Sequence, residues 1–384
     1  MDFGEAGREA ELRAEVRAAL AEPEVRGELE RLRESGEREP DVRPLYRMLG
    51  RRGLLAVSWP REFGGRGAAH TEAAAVIEEL VHGGVPDMMH VLSIQIVGLF
   101  LLQAGSAEQK AAHLPALAAG ERFATVLYTE PEVGSDLAAL RTAAVSDGDG
   151  HLLSGTKTYG LKSAMSDLAL CAARTGAGAS KYDGISLFLI DLSAEGVTRS
   201  HIDGIADDRF DRVVLDGARA GAGALLGAEG EGWALLTRCL ANERTGLDYS
   251  LKAARWYEAA IGGLGAADTG GELLEEVGRL GAAVDAGRLM AWEVISRLDR
   301  GEADPIAAAM AKYHTSETAQ EVAVWAAAVH GLGYGAGRDA LPPGRADLLE
   351  AAYREAPGLT LSAGTSQIML ELVAGSAFEP AAES

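Results

Sequence analysis

The sequence predicts an α+β chain in three parts: an N-terminal all-α domain over residues 1–121, a middle β-domain over 122–234 and a C-terminal helical bundle over 235–384. Three observations predict it. The chain has 384 residues, 47% of them hydrophobic, and single cores stop growing at roughly 250–300 residues. Ala, Leu, Glu and Arg recur at helical spacing from Glu5 to about Glu121 and again after Trp233. Between these stretches, short apolar runs alternate with Gly, Asp and Ser clusters, which is how strands read.

Taking the elements in order, the N-terminal helices are interrupted by WPREFGGRGAA (Trp59–Ala69), a loop rich in Gly and Pro. Met88 to Ala107 is uncharged and long enough to span a bilayer. His90, Ser93, Gln95, Gln103 and Gly105 are spread along it, and a helix buried in a helical domain accommodates them without bilayer desolvation. From Arg122 onward FATVLYT, LRTAAVSD, HLLSGTKTY, LALCAART, GISLFLIDL and FDRVVLDG read as strands. Asp147-Gly148-Asp149-Gly150 marks a hairpin, since glycine supplies the positive φ of tight turns. GARAGAGALLGAEGEGW (Gly217–Trp233) closes the strand region, and Ala-rich helical periodicity runs from there to about Ala374.

Charge and cysteines exclude several classes of function. A formal charge of −21, with no segregated basic run, opposes nucleic acid and anionic membrane surfaces. Cys171 and Cys239 are the only cysteines, and neither has a Cys or His neighbour at metal-ligand spacing, so no metal site is expected. The charged N-terminus lacks the apolar core of a signal peptide. A reduced, cytoplasmic protein without membrane insertion is the expectation.

Several segments, in order and spacing, carry a resemblance to a known family. They are WPREFGGRG (Trp59–Gly67), AGSAEQK with LPALAAGE (Ala104–Glu121), YTEPEVGSDLAALRT (Tyr128–Thr142), GTKTY (Gly155–Tyr159), LLGAEGEGW (Leu225–Trp233), LANERTG (Leu240–Gly246), AKYHTSETA (Ala311–Ala319) and AGTSQI (Ala363–Ile368). Across nearly its whole length the chain resembles the acyl-CoA dehydrogenases. The resemblance implies a C-terminal four-helix bundle, an FAD cofactor and oxidation of an acyl thioester, with electrons passed to an electron-transfer flavoprotein. It also implies that Tyr128 and Thr129 touch the flavin pyrimidine, and that Gly134 and Ser135 lie beside the ribityl or pyrophosphate groups. Tyr159, Leu161, Thr365 and Gln367 join the cofactor set; Ser135, Leu240, Arg244, Ala363 and Gly364 are the substrate-binding set. Standing alone, TEPEVGSD would also read as an ordinary acidic turn.

Removing a proton from the weakly acidic α-carbon of a thioester requires a base and hydrogen bonds that stabilise the enolate oxygen. In many family members the base is a Glu directly before Gly-Thr in the C-terminal motif, where this chain has Ala363. Another branch places the base on a central helix before an Arg, and here that position holds Glu243-Arg244. By resemblance, Glu243 is the catalytic base, Arg244 positions it and the thioester, and the Ala363 N–H donates to the thioester oxygen. The plainer alternative is a solvated Glu-Arg pair on a helix face.

The chain departs from the family at several cofactor positions. Tyr159 and Leu161 replace a Trp and a Thr; Leu161 has no group to hydrogen-bond flavin N5. The Arg-x-x-Phe-Gly segment is missing after Tyr257, and Ala328 replaces a Gln before the His-Gly turn. With fewer FAD contacts, the chain resembles the bacterial branch acting on steroid side chains, in which two unlike subunits form a heterotetramer. A homo- or heterotetramer is expected. A flavin monooxygenase on the same scaffold and a redox-inactive subunit are the alternatives.

Overall fold

The computed structural model describes residues 7–265, 270–331 and 344–378, with the backbone alone for 240–243, 345–346 and 377–378. The chain divides into two compact units, one of residues 1–204 and 208–243, the other of 205–207 and 244–384.

The first unit opens with helices α1 (Gly7–Ala21), α2 (Pro23–Glu34), α3 (Arg43–Arg51) and α4 (His70–His82). Pro23 starts α2, where a missing N–H costs nothing, and Arg31 and Arg33 lie in its last turn against the negative end of the helix dipole. The uncharged stretch is indeed helical and interior. It runs through α5 (Met88–His90), a π-helical segment Val91–Gly98 and α6 (Leu99–Ala104). Met89, Leu92, Val97, Phe100 and Leu101 are all buried there. Among the described residues no helix is long and apolar enough to cross a membrane. Helix α7 (Ala107–Ala118) begins at a capping box: the Gln109 N–H donates to Ser106 Oγ at 3.2 Å, and the Ser106 N–H donates to Gln109 Oε1 at 2.8 Å.

Eight strands form one sheet: β1 (Ala124–Leu127), β2 (Ala143–Asp147), β3 (Gly150–Leu161), β4 (Leu168–Arg174), β5 (Ile185–Asp191), β6 (Val197–Ile202), β7 (Phe210–Ala220) and β8 (Leu225–Leu226). Their order is β6-β7-β3-β2-β4-β5-β8, with β1 parallel to β4. The expected hairpin joins β2 to β3, Asp147 opposite Gly150, and Gly148 has φ 65°. Arg219 on β7 ties the turn down, pairing with Asp147 and, at 2.9 Å, with Asp149. Strands β4 and β5 are almost wholly buried, which explains their continuous apolar runs. Cys171 on β4 is interior, and burial pushes its thiol up to about 11. Helix α8 (Gly232–Glu243) completes the unit, burying Leu235, Leu236 and Cys239 in the same core as Phe100 and Leu187.

The second unit is built from α9 (Leu247–Ile261), α10 (Gly271–Asp299), α11 (Pro305–Val329), α12 (Arg345–Leu359) and α13 (Ser366–Phe378). Asp304 caps α11, accepting from the Ile306 and Ala307 N–H groups at 3.0 Å each, with Pro305 following. Trp256, Leu280, Val284, Val322 and Leu349 share a core with many alanines, including Ala319, Ala323 and Ala326. Small side chains let these helices approach closely over long contacts.

Candidate functional site

In the first unit the candidate residues sit on a loop and on the end of the strand beside it. The loop runs from Tyr128 to Thr142, and the Glu130 carboxylate holds it closed. Glu130 accepts from the Arg141 N–H at 2.7 Å, the Thr142 N–H at 2.8 Å and Lys157 Nζ at 2.8 Å. Lys157 also donates to the Tyr128 carbonyl at 3.1 Å, and its side chain has no exposed surface. Burial alone would raise the Glu130 pKa, but the Lys157 charge and the converging N–H donors outweigh it and hold the carboxyl below its usual range. The Thr158 N–H donates to the Thr129 carbonyl at 2.9 Å, and the Glu130 and Val133 backbones exchange hydrogen bonds at 3.0 Å. The loop is therefore fixed at its start, its first turn and its end.

Gly134 and Ser135 lie on the exposed side of this loop. A Cβ placed on Gly134 would meet nothing within 4 Å, so the backbone there is open to a bulky polar group. Beside the loop, the pairing of β3 with β7 slips between Lys157 and Gly160. Tyr159 in this bulge has φ 56° and Lys162 just beyond has φ 58°, a conformation that costs a non-glycine residue roughly 1–2 kcal/mol. Bulges re-aim side chains. Tyr159 is left 60% exposed, with its ring edge-on to Phe210 at 6.2 Å. Lys162 is held against Glu39 at 2.6 Å and Asp208 at 2.7 Å, and the Leu161 carbonyl accepts from Thr125 Oγ1 at 2.6 Å. Tyr128, Thr129, Tyr159 and Leu161 thus lie on adjoining segments, with Gly134 and Ser135 farther along the same loop.

In the second unit, the other candidates gather at the turn between α12 and α13. Ala363 has φ 52° and Gly364 has φ 97°. Arg244 Nε donates to the Ala363 carbonyl at 2.9 Å. Tyr249 and Ser362 share a hydroxyl–hydroxyl bond of 3.0 Å, and Ser366 Oγ donates to Glu317. Thr365 Oγ1 accepts from the Ile368 N–H at 3.3 Å at the start of α13, while Gln367 is exposed. A Cβ on Gly364 would fall 2.7 Å from Met369 Cε and 3.4 Å from an Arg244 nitrogen. Gly364→Ala is therefore expected to destabilise the protein by about 1–2 kcal/mol, from the left-handed backbone as much as from crowding. Chemical denaturation measures this directly.

Leu240 and Glu243 belong to the last turn of α8, and their side chains lie outside the described residues. Ala328 is in the last turn of α11, beside His330, whose Nε2 is 2.9 Å from the Ala260 carbonyl. Among the described residues no cluster of His, Cys, Asp and Glu is arranged to hold a metal.

Models of the acyl-CoA dehydrogenase N-terminal, middle and C-terminal domains match residues 7–121, 125–218 and 230–378. Acyl-CoA dehydrogenase FadE29 of Mycobacterium tuberculosis is 32% identical over 382 residues, covering 95% of this chain and 95% of that protein. The chain belongs to the acyl-CoA dehydrogenase family. Its reaction class is accordingly oxidation at a CH–CH bond of an acyl-CoA. A solved structure described as the Tcur3481-Tcur3483 steroid acyl-CoA dehydrogenase is 28% identical, with a TM-score of 0.85 over 99% of this chain and all of that one. A glutaryl-CoA dehydrogenase from Mycobacterium smegmatis, solved in complex with FADH2, shares the fold at 23% identity, with a TM-score of 0.81 over 99% of this chain and 97% of that one. The helix–sheet–helix order expected from the periodicity is the acyl-CoA dehydrogenase architecture.

Glu130, Lys157, Tyr249 and Lys312 are the site residues that sequence reasoning passed over. All but Tyr249 lie inside segments that carry the family resemblance. A lysine within a strand or a helix reads by default as a solvated surface group, and only the fold reveals that these two are buried.

Proposed function

We propose that the protein catalyses FAD-dependent α,β-dehydrogenation of an acyl thioester, with Glu243 taking the α-proton. The observation that carries this reading is the hydrogen bond from Arg244 to the Ala363 carbonyl. The residue one peptide bond beyond Glu243 is tied to the turn whose N–H groups are suited to receive a thioester oxygen. Among the described residues the Ala363 N–H has no acceptor. Where many relatives carry their base, this chain has an alanine; the carboxylate stands at 243 instead.

The residues of the first unit suit an isoalloxazine ring and its polar tail. Tyr159 offers an exposed aromatic face on a fixed bulge, Tyr128 and Thr129 lie on the adjoining segment, and the open backbone at Gly134 and Ser135 admits ribityl or phosphate groups. When bound, FAD supplies the acceptor for the β-hydride. The protein's own part is to hold the acyl group by the turn at Ala363 and Gly364, to orient the proton acceptor through Arg244, and to fix the cofactor loop through Glu130 and Lys157. A preorganised N–H facing the developing negative charge stabilises the transition state more than the ground state. Leu240, Thr365 and Gln367 complete the proposed substrate and cofactor contacts.

The Leu161 side chain offers no hydrogen bond to a flavin, which favours a paired assembly in which another chain completes the cofactor site. The steroid-enzyme structure named for two components supports that form; an electron-transfer flavoprotein is the proposed electron acceptor. Cytoplasmic residence belongs to the same reading, since Cys171 and Cys239 are both free. The visible spectrum of the purified protein before and after adding FAD tests the proposal. Flavin that binds and is bleached by an acyl-CoA, in the protein alone or once its partner chain is added, is the expected result; a protein that stays colourless in excess FAD with the partner present would refute the dehydrogenase reading.

A further inference from the structure

Lys312 lies on α11 and is fully buried. Its Nζ donates to the Leu359 carbonyl at 3.2 Å and the Gly364 carbonyl at 2.8 Å, and it stands 5.3 Å from the centre of the Tyr249 ring. Among the described residues no carboxylate comes within ion-pair distance of it. Burying an ammonium without a counter-ion is costly, and nothing in helix packing asks for one at this place. A methionine or leucine would fill the volume.

The two acceptors give the lysine a purpose. Leu359 is the last residue of α12, whose unpaired carbonyls form the negative end of the helix dipole. Gly364 is the second of the two left-handed residues, immediately after Ala363. One ammonium therefore bridges both ends of a six-residue turn and closes it. Arg244 pulls on the Ala363 carbonyl inside the turn, Tyr249 holds Ser362, and the Ser366 N–H donates to the Thr360 carbonyl at 3.0 Å. Two consecutive left-handed residues persist only where the surroundings over-determine them, and Lys312 binds both ends.

We propose that Lys312 is a positioning residue for the thioester oxygen: by bridging Leu359 and Gly364 it fixes the Ala363 N–H toward the enolate-like oxygen. The inference rests on the acyl-thioester reading above and deepens it. Lys312 acts through the turn and touches no reacting atom. Because its donors are preset, the ammonium favours the state in which negative charge has developed on the oxygen, by through-space attraction as well as by geometry. The charged groups around it are Asp248 on α9, Glu317 on its own helix and Arg244 ahead of α9. Burial, the largest influence, and the Arg244 charge lower its pKa, while Asp248 and Glu317 raise it; the net value is about 8.

The test compares two CoA thioesters on FAD-loaded protein at pH 7. Acetoacetyl-CoA is readily enolised and reports stabilisation of an enolate oxygen; crotonyl-CoA is an uncharged enoyl thioester of the same length. Lys312→Gln is expected to weaken acetoacetyl-CoA about tenfold or more, to change crotonyl-CoA by less than about threefold, and to speed amide exchange across residues 360–366. Equal losses for both ligands, or no loss, overturn the proposal. Should the variant not fold, wild-type exchange decides: after correction for intrinsic rates, protection at 360–366 falls as pH rises through about 8 while the interior of α12 stays protected, and a flat profile overturns the proposal. Wild-type protein that binds neither thioester refutes the acyl-CoA reading itself, and the role of Lys312 falls with it.

Discussion

Glu243→Gln is expected to lower dehydrogenation of an acyl-CoA by about a thousandfold while leaving bound FAD at its wild-type stoichiometry. The substitution nearly preserves shape but removes the basicity on which abstraction of an α-proton depends; general bases contribute roughly 10²–10⁴-fold. A thousandfold loss is about 4 kcal/mol of transition-state stabilisation. Because the change falls on the chemical step, kcat should drop with little change in KM. Stopped-flow reduction of the bound flavin by substrate separates this from slow product release. Near-normal turnover would remove Glu243 from the mechanism and place the base on another residue.

The second large effect concerns stability and cofactor binding together. Lys157→Met leaves the Glu130 carboxylate buried without its cation, although the Arg141 and Thr142 N–H groups remain. Removing one partner of a buried pair costs about 3–5 kcal/mol; the two surviving donors place this case near about 3 kcal/mol. FAD affinity should fall in parallel, because the loop bearing Thr129, Gly134 and Ser135 loses its anchor. The double variant Lys157→Met with Glu130→Gln should recover part of the stability, since it removes the stranded charge. The pH dependence has a definite sign. The Glu130 pKa is lower in the folded protein, so its contribution is full above the ordinary carboxylate range and is lost as pH falls through the depressed value. In the Lys157 variant that acid limb should flatten, as urea titrations at several pH values would show.

Elements with a buried face were legible from the residues alone. Strands β4 and β5 announced themselves as continuous apolar runs, the β2–β3 hairpin through its Asp-Gly pairs, and the uncharged Met88–Ala107 stretch as an interior helix, which ends at Ala104. Strand β6 was not legible. Val197–Ile202 is an edge strand with four exposed residues in its middle, so neither face imprints an alternation on the sequence. Two-residue β8 is too short to carry any pattern. The π-helical turn at Val91–Gly98 escaped for another reason: its apolar residues surround the segment, and periodicity has no direction to report.

At the proposed site, the family motifs point to segments but carry no record of the forces that shape them. Lys157 meets Glu130 across 27 residues and Lys312 meets Gly364 across 52, and no local pattern encodes such pairings. The left-handed conformations of Tyr159, Lys162 and Ala363 run against the intrinsic preference of those residue types. They exist because tertiary hydrogen bonds hold them there. Departures from local preference thus collect where the proposed cofactor and thioester contacts lie.

Cys171 and Cys239 are both fully enclosed, one on strand β4 and the other on helix α8, and Cys239 donates to Gln103. A sulfhydryl reagent dissolved in water finds neither sulfur until the first unit breathes open. The rate of alkylation under native conditions therefore counts opening events, and comparing the two sulfurs tells whether the sheet and the final helix loosen in one motion or in two. With no other cysteines in the chain, the protein carries this clock without engineering.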